Sequence, residues 1–108
     1  MYKELLKGST ATMILSLLER ADLYGYELIK ELERKSGGVF ALKEGTLYPI
    51  LHAMEADGLV EAYWNEASGR RRKYYRLTRK GKEQSERRKT EWTEFRKAVD
   101  LVLGEGRA

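Results

Sequence analysis

Residues 43–60 read KEGTLYPILHAMEADGLV and contain Pro49, the single proline of the chain. Around it, Leu47, Ile50, Leu51 and Met54 recur at helical spacing. A proline inside a helix withholds an N–H, and its ring crowds the preceding turn. A helix that begins near Gly45 or Thr46 places Pro49 at about its fourth position, at the edge of the region where backbone N–H groups lack intrahelical partners anyway. Gly58 ends the helix after about Asp57. Pro49 is therefore expected to mark the start of a helix, not a break in one, and to help present Thr46 and Tyr48 at that end.

Upstream, two further helices are legible. Ser9 or Thr10 is expected to cap a helix running to about Arg20, with Ile14, Leu17, Leu18 and Ala21 as its apolar stripe. YKELLK, just before it, either extends that helix or docks as an arm. A second helix covers roughly Tyr24 to Lys35, with Leu28, Ile29 and Leu32 inward and Gly37-Gly38 as its stop. Downstream of Gly58 the period changes from helical to alternating. LVEAYWNEA and RKYYRLT, separated by SGRR, read as a two-stranded hairpin with a basic tip. Thr78 is placed to cap a long last helix from Arg79 to about Leu103. In it Trp92, Phe95, Val99 and Val102 follow a 3-4-3 spacing, a narrow coiled-coil-like seam that needs a cover.

Composition narrows the function classes. A chain of 108 residues, 42% hydrophobic and 35% charged, makes one core and one domain. With no cysteine, disulfides, thiolate metal sites and cysteine nucleophiles are excluded. ATMILSLL is too short to span a bilayer, and the N-terminus lacks a signal-peptide pattern, so a cytoplasmic protein is expected. His52, the single histidine, has no second ligand at metal spacing, and neither a metal nor a cofactor is expected. No nucleophile–base pair and no phosphate-cradling glycine loop is present, which argues against an enzyme. The net charge of +4 is unevenly spread. Residues 1–69 hold 7 Lys/Arg against 11 Asp/Glu, whereas residues 70–89 hold 11 against 2. That concentration points to a polyanionic partner.

Three helices followed by a hairpin with a cationic tip is the element order of a winged helix-turn-helix. In such domains the third helix enters the DNA major groove and the hairpin, or wing, lies against the backbone. The expected fold is mainly α with a β-hairpin wing. Residues 1–78 form the DNA-binding domain, and residues 79–108 form a C-terminal helix. YGYELIKELE, EGTLYPILHAMEADGLV and GRRRKYYRLTRKGKE together resemble the signatures of the PadR family of bacterial transcriptional regulators, a likeness covering about residues 10 to 100. The resemblance implies a homodimeric repressor on an inverted-repeat operator, joined through its C-terminal helices. Leu5, Leu6, Ile14, Trp92, Phe95, Val99 and Val102 are then the expected subunit contacts.

Each candidate has two readings. Thr46 either caps the third helix or bonds DNA. Tyr48 is either a half-buried core aromatic or a DNA contact, and the resemblance favours DNA for both. Lys43 precedes them, Pro49 is expected to fix the turn and touch a sugar or thymine methyl, and His52 either faces the groove or is solvated. Tyr24 either donates to a phosphate or packs in the core, and Gly25 permits the close approach of another backbone. KEGTLYP is nearly neutral, so Arg70, Arg71, Arg72 and Lys73 at the wing tip are expected to supply most of the grip. Trp92 anchors the dimer or, as in some small PadR-like regulators, lines a cavity between subunits where planar aromatic effectors stack. A protein-interaction module built on the same fold is the alternative to a DNA-binding regulator.

Overall fold

The computed structural model of the chain describes residues 3–66 and 69–104. Met1, Tyr2 of the expected arm, Ala67 at the end of the expected first strand, Ser68 in the expected hairpin turn, and residues 105–108 at the end of the C-terminal segment lie outside the described residues. In chain order the elements are α1 (Lys3–Lys7), α2 (Thr10–Arg20), β1 (Leu23–Tyr24), α3 (Gly25–Lys35), α4 (Glu44–Ala56), β2 (Val60–Asn65), β3 (Arg72–Leu77) and α5 (Arg79–Leu103). This is a mainly helical winged helix-turn-helix with a long C-terminal helix.

The apolar stripes of α2, α3 and α4 meet in one core. Ile14, Leu15, Leu17 and Leu18 pack with Leu28, Leu32, Leu47, Leu51 and Met54. Leu42, from the segment joining α3 to α4, is buried with them, and Phe40 packs against the same cluster. The core explains the spacing seen in sequence: each helix contributes residues three or four apart, so one face is removed from water. Ala21, expected on the α2 stripe, is exposed, because the helix has ended at Arg20 and Ala21 is in extended backbone.

The sheet has three strands rather than two, in the order β1-β3-β2, all antiparallel. The short β1 pairs Leu23 with Tyr75 and Tyr24 with Tyr74. Two residues are too few to show a period of two in sequence, so only the long partner strand reveals β1. Strand alternation then sorts the faces. Val60 and Ala62 lie opposite Leu77 and Tyr75 on the core side, while Glu61 and Tyr63 lie opposite Arg76 and Tyr74 on the outer side.

Helix α4 starts one or two residues earlier than its glycine implied. Glu44 is its first residue and Lys43 the N-cap, so Pro49 is the sixth helical residue and lies beyond the orphan first turn. The ladder has already begun, with Leu47 N–H donating to Lys43 O at 2.9 Å. Pro49 therefore withholds the bond that the Gly45 carbonyl would accept. Both residues face solvent, where water can replace that bond.

Helix α5 joins the winged unit in its first half and leaves it in its second. Thr78 caps it, accepting from Gly81 N–H at 3.0 Å while donating to Gly58 O at 2.6 Å. Gly81 and Ser85 are buried, and Ser85 Oγ donates to Glu19 on α2. Lys89 Nζ reaches the other oxygen of that carboxylate at 3.0 Å. Burial opposes ionisation of Glu19, but the bonds from Ser85 and Lys89 outweigh it and hold the carboxyl below its ordinary range. Trp92 still reaches the unit through Ser9, and beyond it the seam residues project into solvent. Trp92, Phe95, Val99 and Val102 are exposed, the last at 86%. Ile14, expected among the subunit contacts, is instead 1% exposed within the chain's own core.

Candidate nucleic-acid interface

The first turns of α4 present the residues expected to read DNA. Lys43, Thr46, Pro49 and His52 are all exposed, on a face completed by Gly45 and Ala53. Toward the start of that face Gly45, Thr46 and Pro49 are short or compact, so an approaching surface can come close to the helix backbone there. Thr46 is not the helix cap, since Lys43 holds that position.

Tyr48 is half-buried and packs against the core. Its phenol lies over Gly25 at the start of α3: a Cβ added at Gly25 would meet Tyr48 Oη at 2.2 Å. The close approach expected at Gly25 is therefore made by a side chain, not by another backbone. The His52 ring lies 6.3 Å from that of Tyr48, one turn further along.

Tyr24 is half-buried and packs on the sheet, outside the core cluster. It stands at the N-cap of α3, where its N–H donates to Glu27 Oε1 at 3.2 Å. Its ring packs edge-on against Tyr74, with centroids 5.3 Å apart. Tyr74 in turn stacks on Tyr63, which donates to Asp22 at 2.5 Å. That bond to Asp22 is the chief reason the Tyr63 phenol is pushed above its ordinary value.

The wing cations are seated on aromatic rings. The Arg71 guanidinium lies 4.6 Å from the Trp64 ring centroid, and that of Arg72 lies 4.6 Å from Tyr24. Lys73 Nζ is 5.7 Å from the Tyr75 ring, and Arg76 lies 4.9 Å from Tyr63. Together the tip and the helices enclose a groove of about 540 Å³. Tyr24, Tyr26, Glu44 and Tyr48 line it from the helices, and Trp64 with Arg70, Arg71, Arg72 and Lys73 from the wing. Four successive cations thus face the start of α4 across one cleft, a positive wall suited to a phosphate backbone. His52, Pro49 and Thr46 lie outside that cleft, on the adjoining face of α4.

The family model described as the transcriptional regulator PadR-like family matches residues 14–87. The chain belongs to the PadR-like family of transcriptional regulators. Protein X of Lysinibacillus sphaericus is 35% identical over 101 residues, 93% of each chain. The transcriptional regulator Rv3488 of Mycobacterium tuberculosis is 39% identical over 61 residues, 56% of this chain and 54% of that protein. Among solved structures, a transcriptional regulator from Clostridium thermocellum superposes with a TM-score of 0.83 at 34% identity, over 91% of this chain and 96% of that one. A PadR family transcription regulator from Clostridium difficile does so with a TM-score of 0.77 at 42% identity, over 88% and 98%. This PadR-like protein is accordingly a DNA-binding transcriptional regulator, and its relatives are regulators rather than enzymes.

Among the described residues no helix is long and apolar enough to cross a membrane, and no group of three His, Asp or Glu side chains is placed to hold a metal. Sequence reasoning missed the roles of Trp64, Gly81 and Ser85. The last two had a faint signal: Gly81, Ser85 and Lys89 recur every four residues, a stripe of small and polar side chains on one face of α5. A search for apolar seams passes over such a stripe.

Proposed function

We propose that this PadR-like regulator is a cytoplasmic repressor that binds an inverted-repeat operator as a homodimer. The observation that carries the reading is the pairing of two unlike surfaces. The exposed face of α4 that carries Gly45, Thr46, Pro49 and His52 adjoins a cleft whose opposite wall is Arg70, Arg71, Arg72 and Lys73. In this reading α4 enters the major groove and Lys43, Thr46, Tyr48, Pro49 and His52 meet bases or sugars, while Tyr24 and the wing cations meet phosphates. α4 is nearly neutral and selects, and the wing grips.

Residues 1–78 act as the DNA-binding part and residues 79–108 as the dimerisation segment. Leu5 and Leu6 on α1, with Trp92, Phe95, Val99 and Val102 on α5, form the seam between subunits. A seam this apolar and exposed favours burial against a second copy. It borders an apolar groove of about 610 Å³ lined in part by Leu6, Met13, Phe40, Trp92 and Phe95. Trp92 Nε1 donates to Ser9 Oγ at 3.1 Å, which fixes the plane of the indole. A planar aromatic effector stacked on that indole changes the spacing of the two recognition helices and releases DNA.

Binding of DNA across salt tests the division of labour. If a dimer neutralises about six phosphates, log K falls with log salt at a slope of about −5. An Arg71→Ala, Arg72→Ala variant flattens that slope by about 3 to 4. Thr46→Ala weakens binding to the chain's own upstream region more than to random DNA. An unchanged slope in the first variant, or equal losses on both DNAs in the second, refutes the assignment. Sedimentation equilibrium tests the dimer.

A further inference from the structure

Trp64 stands where the register makes it conspicuous. It shares the core-facing side of β2 with Val60 and Ala62, but it lies opposite Lys73, past the end of the core. The core therefore does not cover it, and the indole is 56% exposed. It lines the wing side of the cleft that Tyr48 and Glu44 line from α4. The group beside its ring is the Arg71 guanidinium, 4.6 Å from the centroid.

We propose that Trp64 is a positioning residue for DNA binding: its indole holds the Arg71 guanidinium in the cleft between wing and α4, ready for a phosphate. The inference rests on the wing reading above and adds the reason the tip is competent before DNA arrives. An arginine that stacks on a ring does so through its flat π face, and its N–H donors lie in the guanidinium plane, outside the stack. Stacking therefore orders the side chain without consuming the hydrogen bonds that a phosphate needs. Arg70, Arg71, Arg72 and Lys73 are consecutive like charges that repel one another. Free, the long arginine chain would sample many rotamers and lose that freedom on binding. Seated on Trp64, it has lost much of it already. Lysine is a poor substitute in this role, because a compact ammonium has no flat face to lay against the ring.

Fluorescence anisotropy with a short random-sequence DNA duplex, read across salt, tests this with full-length variants. Trp64→Ala is expected to bind about two- to ten-fold more weakly for each subunit engaged, the cost of ordering one long side chain, with its salt slope unchanged because no charge is lost. Trp64→Phe should recover most of the loss. Arg71→Lys, which keeps the charge and spares the hairpin, should show a similar loss per subunit at the wild-type slope. On an Arg71→Ala background, Trp64→Ala should have no further effect. A silent Trp64→Ala, a Trp64→Phe variant that recovers nothing, or a Trp64→Ala loss that adds in full to that of Arg71→Ala overturns the proposal. If Arg71→Ala itself leaves affinity and slope unchanged, the wing reading falls and takes this inference with it. An effect of Arg71→Ala beside a silent Trp64→Ala removes the inference alone.

Discussion

Gly81→Ala separates packing from helix propensity, because the two predict opposite signs. Gly81 lies in the first turn of α5, and exchanging a helical glycine for alanine ordinarily stabilises by up to about 1 kcal/mol. Here a Cβ would stand 2.0 Å from the carbonyl oxygen of Leu59 and 3.1 Å from Leu77 Cδ2. The carbonyl is backbone, and it already accepts from Thr78 N–H at 3.1 Å. Relief requires the start of α5 to move by more than an ångström from the start of β2, which breaks that bond or the Thr78 cap. Overpacking of this kind costs about 1–3 kcal/mol, and a lost cap adds about 1. The net expectation is destabilisation by about 1–3 kcal/mol. Gly45→Ala is the control. It lies in the exposed first turn of α4 with nothing within 4 Å of the added Cβ, and is expected to be neutral or stabilising by up to about 1 kcal/mol. Urea unfolding at one protein concentration, with midpoint and slope both fitted, gives the comparison. A Gly81→Ala variant as stable as wild type, with Gly45→Ala unchanged or stabilised, would show that the close approach is not what holds α5 on the winged unit.

Three further substitutions probe other parts of the fold. Tyr75 is 1% exposed, and its hydroxyl has no hydrogen-bond partner among the described residues, so Tyr75→Phe should stabilise by about 1 kcal/mol or more in thermal melts. Ser85→Ala removes a fully buried hydroxyl from the Glu19 carboxylate and should cost about 1.5–3 kcal/mol by urea unfolding. The folded Glu19 carboxyl titrates below its ordinary 4.5, so its contribution is complete above that value and is lost as pH falls through the lower folded value. Glu19→Gln should therefore lose less stability than wild type when pH is lowered through that window. Pro49→Ala restores an N–H for the Gly45 carbonyl and should raise stability by about 1–3 kcal/mol; a loss would mean that the fixed proline φ outweighs the missing ladder bond.

Periodicity and turn chemistry are local properties, and they carried much of this protein. The 3.6-residue spacing of Ile14, Leu17 and Leu18, of Leu28 and Leu32, and of Leu47, Leu51 and Met54 defined three core helices. The switch to alternation after Gly58 defined the wing, and Thr78 and Gly104 bound the last helix where the sequence placed it. The charge cluster over residues 70–89 pointed to a polyanion, and three strings of residues pointed to the family. What depends on distant parts of the chain was not legible. Strand β1 is two residues long and exists because β3 offers an edge to pair with. That Ile14 is covered completely by the chain's own helices, leaving nothing for a second subunit to touch, depends on packing that its place on the α2 stripe does not reveal. Glu19 and Ser85 are 66 residues apart and become one polar clamp only when α5 lies across α2. Gly25 and Gly81 are small for the sake of Tyr48 and the Leu59 carbonyl, partners that no local window contains. Sequence assigned the long segments their structure and their charge, whereas the tertiary structure decided which side chains share a surface and added the short strand β1. That is why the cationic tip was visible from the sequence, while the aromatic rings beneath its arginines had to be found in the folded chain.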